Sequence, residues 1–121
     1  MHQLRQPVRQ EWRMFLDAIT EGEEGQPVTV EIVSAELGSR VEADRLPLSY
    51  VSYDDRDDVV VVAVRGGDAP EDRLDHIVEN PWKIFFDPPS PHAVRRIDIE
   101  GPDGAHTLVT LHDRETPEGA H

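Results

Sequence analysis

The chain has 121 residues, no cysteine, and a formal net charge of −13 from 25 acidic and 12 basic side chains. That length suits one domain with one core, and the missing thiols exclude disulfides, thiolate zinc sites, iron–sulfur clusters and a cysteine nucleophile. The charge repels nucleic-acid phosphates and anionic membrane surfaces, and the longest apolar run, Val59 to Val64, is far short of the roughly 18–20 residues that span a bilayer.

Neither nucleic acid nor membrane is therefore expected as a partner. Residues Met1 to Pro7 lack the apolar stretch of a secretory signal, so a cytoplasmic location is expected. Lys83 is the only lysine and the other basic residues are arginine. Such a surface fits either salt adaptation or a bias in genome composition, and in both cases salt screens its self-repulsion.

Residues 7 to 21 carry Val8, Trp12, Phe15, Leu16 and Ile19 on one face of a 3.6-residue period, which predicts an amphipathic helix. Pro7 suits its first turn and Gly22 its end. From Gln26 the period changes to two. Val28, Val30 and Ile32 predict a half-buried strand, Val41 and Ala43 a second, Leu48 to Tyr53 a third, and Val59 to Val64 a fourth buried on both faces. Gly66-Gly67-Asp68 then opens a short inserted helix, with Asp68 and Glu71 as a capping box, Leu74, Ile77 and Val78 as its stripe, and Pro81 as its stop. Trp82, Ile84 and Phe86 alternate with Lys83 and Phe85 in a fifth strand. Two more strands, Ala93 to Glu100 and Ala105 to Leu111, flank the turn Gly101-Pro102-Asp103-Gly104.

The expected architecture is one α+β domain over 7–112. An N-terminal helix packs on a mainly antiparallel sheet of about six or seven strands, curled as far as a half-barrel, with one short inserted helix. Residues 113–121 carry no periodicity and are expected to form a disordered tail.

Chemistry-bearing motifs are sparse. The acidic turn Asp54-Asp55-Arg56-Asp57-Asp58 invites a divalent-cation reading, but an EF-hand loop fails in both registers, since Val59 or Val60 stands where its glycine belongs. His106 and His112 share a strand face about 20 Å apart, too far to share an ion. No His-x-x-x-His, phosphate-cradling glycine loop or nucleophile elbow occurs. No catalytic residue, metal ligand or cofactor is therefore assigned. The binding candidates are Leu46, Leu48, Tyr50 and Tyr53, where an exposed tyrosine beside apolar neighbours suits a protein partner or a homodimer, and His76. His76 or His92 with nearby carboxylates could alternatively serve an enzyme or ligand-binding pocket between helix and sheet.

One resemblance spans most of residues 8 to 112. Trp12, the segment Glu42-Ala43-Asp44-Arg45-Leu46-Pro47-Leu48, Val51-Ser52-Tyr53-Asp54, Leu74-Asp75-His76-Ile77 closed by Pro81, and the Asp103-Gly104 turn occur in an order that resembles a family of small acidic bacterial proteins catalogued as a domain of unknown function. Where that family's pattern has a second histidine before the proline, this chain has Asn80. The resemblance implies a stand-alone domain and carries over no site residue.

Overall fold

The apolar stripe of the N-terminal segment forms a helix because one face can be covered. A computed structural model, describing residues 5–66, 72–90 and 92–113, places a 3-10 turn at Arg9–Glu11 followed directly by α1 (Trp12–Glu23). Trp12, Leu16 and Ile19 are buried against the sheet while Val8 is left exposed. Glu11 ties down the entry by accepting hydrogen bonds from the Val8 amide and both terminal nitrogens of Arg5. The helix runs past Gly22, and Gly25, at φ +88°, makes the left-handed exit that a side chain would resist.

Seven strands follow: β1 (Pro27–Ser34), β2 (Gly38–Asp54), β3 (Val59–Arg65), β4 (Arg73–Glu79), β5 (Lys83–Asp87), β6 (Arg96–Glu100) and β7 (His106–Leu111). All pairs are antiparallel, in the order β4-β3-β2-β1-β7-β6-β5. The edge strands β4 and β5 are joined by residues 80–82 alone, so the sheet must curl to bring its ends together. The curl is visible in a hydrogen bond of 3.0 Å between His76 on β4 and Thr107 on β7, although three strands separate β4 from β7 in the order. The sheet is not closed into a barrel.

The core lies in this concavity under α1. Phe86 stacks on Phe15 with ring centroids 4.2 Å apart, and Trp12 meets Tyr53 edge to face at 5.4 Å. Arg9 locks the same corner, donating to the Tyr53 hydroxyl, the Asp58 carboxylate and the Pro81 carbonyl while its guanidinium covers the Trp12 ring at 4.5 Å. Beyond the Pro27 to Pro47 pair β1 no longer covers β2, and α1 takes over. There the Thr20 hydroxyl accepts from the Val51 amide at 2.9 Å and donates to the Val51 carbonyl at 2.8 Å.

Three expectations are corrected. The inserted helix is strand β4, because β3 is a buried strand whose second backbone edge needs a partner. Val60, Val62 and Val64 pair with Val78, His76 and Leu74. The strands expected around Val41 and from Leu48 are one 17-residue strand that continues through Pro47, bent by bulges and by Arg45 at φ +56°. Trp82, expected inside, precedes β5 and is 64% exposed, while Pro81 beside it is buried. Asp68 and Glu71, read as a capping box, and the segment 114–121 lie outside the described residues.

Candidate functional site

Strand alternation aims Leu74, His76 and Val78 at the concave face, opposite the buried valines of β3. His76 forms the wall of a cleft of about 560 Å³ between β4 and the β6–β7 turn, with Ile32, Val78, Pro102, Asp103 and Thr107. A second hollow of about 610 Å³ adjoins it, sharing Ile32, Asp103 and Ala105 and reaching Leu37 and Arg40. Both volumes lie in the range of about 300–1,000 Å³ common to ligand sites. Thr107, 5% exposed, pairs with His76 Nε2, and Nδ1 meets no hydrogen-bond partner among the described residues. Burial lowers the His76 pKa from the ordinary histidine value, with Glu42 acting against this and Arg40 adding to it. The imidazole is thus kept neutral near pH 7, able to give or take one hydrogen bond at Nδ1.

This lowered pKa has a definite sign. The unfolded chain protonates His76 near pH 6.5 while the folded chain resists, so its contribution to stability is complete above that pH and is lost as pH falls toward the folded pKa. The slope is at most about 1.4 kcal/mol per pH unit. His106 acts oppositely. Its hydrogen bond of 2.8 Å to Asp98 raises its pKa, so its contribution holds below about pH 6.5 and fades as pH rises through the raised value. Urea titrations from pH 5 to 8 should show His76→Asn flattening the acid-side decline seen in the parent; an unchanged decline would assign it to other groups.

The sequence-derived binding residues are dispersed. Leu48 and Tyr53 are buried in the core, and Leu46 packs against it. Tyr50, half-buried, lies under the Arg73 guanidinium at 5.6 Å. His76 borders the cleft beside β4, and Tyr53 lines a separate hollow with Arg13, Asp17 and Arg56. His92 is exposed. In the acidic turn the Asp54 carboxylate accepts the Arg56 and Asp57 amides, and Asp58 accepts from Tyr53 and Arg9, leaving Asp55 and Asp57 exposed. Among the described residues no three His, Asp or Glu side chains are placed to hold a metal ion, and no helix is long and apolar enough to cross a membrane.

The second feature of interest is the edge of β5, which sequence reasoning did not single out. Phe85 is 47% exposed and Trp82 stands just before it. The outward backbone groups of Phe86 are occupied by a side chain: the Gln6 carboxamide accepts from the Phe86 amide at 2.8 Å and donates to its carbonyl at 2.9 Å. That is the hydrogen-bond pair a neighbouring strand would make. Alternation of Lys83, Phe85 and Asp87 on the outer face was readable in the sequence. Nothing in the pattern around Gln6 signalled its role.

A helix laid in a curled antiparallel sheet, with a histidine-walled cleft and a side-chain-capped edge, defines a small α+β domain. The chain belongs to DUF5335, a family of unknown function, whose model matches residues 3–119. It is also similar to an uncharacterized protein of Aquifex aeolicus (strain VF5), 26% identical over 107 residues that cover 88% of this chain and 79% of the relative. No solved structure matches it.

Proposed function

We propose that the domain is a non-catalytic module that acts through protein–protein contact, pairing the outer edge of β5 with an extended segment of another polypeptide that displaces Gln6. The observation that carries this reading is the Gln6 carboxamide on the Phe86 backbone. It marks a strand edge closed by a side chain where a neighbouring strand would sit, beside exposed Trp82 and Phe85 that supply apolar contact once that side chain is displaced. A library of random ten-residue peptides, screened by amide chemical shifts, tests it. Binders should move the Ile84 and Phe86 amides first. Binders that leave β5 unmoved, or no binder at all, would refute it.

A second reading rests on the His76 cleft, whose neutral imidazole and apolar floor suit a small ligand carrying one hydrogen-bonding group. A panel of small amides and carboxylic acids should then shift the resonances of His76 and Ala105, and His76→Ala should abolish the response. Shifts that persist in the variant would remove His76 from the reading.

A further inference from the structure

For the cleft beside β4 we infer that the ligand is an extended peptide segment, with a basic residue ahead of two apolar ones, added antiparallel to the outer edge of β4. This rests on the reading of the cleft as a binding site and names the chemical class that fills it.

The hydrogen bonds at the two ends of β4 show which of its main-chain groups are open. The Gly66 amide donates to the Asp72 carbonyl at 2.7 Å and the Asn80 amide to the Asp58 carbonyl at 2.8 Å, in the same register that pairs Val62 with His76. Leu74, His76 and Val78 therefore exchange hydrogen bonds with β3, and alternation turns the N–H and C=O groups of Asp75, Ile77 and Glu79 the other way. Among the described residues nothing bonds to these outward groups. β5 differs, since Gln6 closes it at Phe86. Asp75, Ile77 and Glu79 are all exposed, Ile77 at 55%, and the last two line the cleft. A small molecule with one polar group would leave most of these donors and acceptors bare, whereas a five-residue strand meets all of them. Every ladder of the sheet is antiparallel, the arrangement that is also slightly stronger per residue.

The side chains of the ligand follow from that pairing, because residues directly opposite in a ladder share a face. Those opposite His76 and Val78 point into the cleft, where Ile32, Val78 and Pro102 offer apolar surface and His76 Nδ1 an unmet hydrogen bond. The residue opposite Val78 is therefore apolar, and the one opposite His76 carries a hydroxyl. On the outer face, exposed Ile77 calls for an apolar residue and Glu79, in a chain of net charge −13, for a basic one. Asp75 is already paired with Arg73 at 2.8 Å, so the residue opposite it is neutral. Read from its N-terminus, the ligand is basic, apolar, apolar, hydroxyl-bearing and neutral.

The capped peptide Lys-Val-Ile-Thr-Ser, titrated into the intact protein and followed by amide chemical shifts, tests the inference. The Ile77 and Glu79 amides should move most, and their hydrogen exchange should slow. Methylating the backbone nitrogen of the peptide isoleucine, which faces Ile77, removes a donor and should weaken binding about tenfold. Methylating that of its valine, which points away from β4, should leave binding intact. Glutamate in place of the peptide lysine should weaken binding, and added salt should narrow the difference. Indifference to the isoleucine methylation, or equal binding of the glutamate peptide, overturns the inference. So do shifts at Ile84 and Phe86 instead, which place the peptide on β5, and Ile77 and Glu79 shifts that grow with protein concentration alone, which give the edge to a second copy. Small amides or acids that shift His76 and Ala105, while the peptide moves neither Ile77 nor Glu79, leave the cleft as a binding site without its peptide; no response to either removes both.

Discussion

Phe86→Ala is expected to cost about 3–5 kcal/mol of folding stability, a large share of the roughly 5–15 kcal/mol typical of a domain. The ring is fully buried, stacks on Phe15 and lies on the concave face of an edge strand, where α1 and β5 meet. Truncation leaves a void between two elements that touch through few other large side chains. Urea titration should show the midpoint falling with the slope unchanged. Phe85→Ala, one residue away on the exposed face, should change stability by less than about 1 kcal/mol. Comparable losses from both substitutions would contradict the assignment of the two faces.

Thr20→Val should cost about 2–4 kcal/mol although it preserves the shape of the side chain. The Thr20 hydroxyl serves both the amide and the carbonyl of Val51, a residue sealed under α1 where β1 no longer runs alongside β2. A methyl in its place leaves two buried backbone groups without partners, each worth about 1–3 kcal/mol. Thr20→Ser keeps the hydroxyl and should recover most of the loss. A valine variant as stable as the parent by thermal and urea unfolding would show that water or a shift of the helix satisfies Val51.

Much of the fold was legible because its periodicities are unambiguous. Trp12, Leu16 and Ile19 announce one helical face, and Val28 and Val30, Ile97 and Ile99, or Thr107, Val109 and Leu111 announce strands with one buried side. The segment from Leu74 to Val78 was misleading for a physical reason. Its apolar residues fit a helical stripe, while the strand pattern is masked because the inward positions hold a half-buried histidine and an exposed Leu74, and Ile77 faces solvent. Tertiary demand from β3 decided the outcome. The site was less legible still. His76 acquires its character from Thr107, Glu42 and Arg40, all remote in sequence, and Gln6 matters only because the chain start passes the edge of β5. Tyr53 illustrates the limit of alternation: parity with Tyr50 separates the two faces, but Trp12 and Arg9 determine which tyrosine is enclosed.

The strand order bears on how quickly the molecule can assemble. β1 to β4 form one meander of neighbouring hairpins and β5 to β7 another, and the lateral join between them is β1 against β7, where Val28 meets Leu111 from opposite ends of the chain. Each meander can form through short loop closures, whereas the join requires nearly the whole chain to be gathered before it returns any contact. That topology puts the rate-limiting search at the β1–β7 seam. Substitutions at Val30 or Val109 that loosen the seam should therefore act mainly on the folding rate if the join is already made in the transition state, and on the unfolding rate if it closes last.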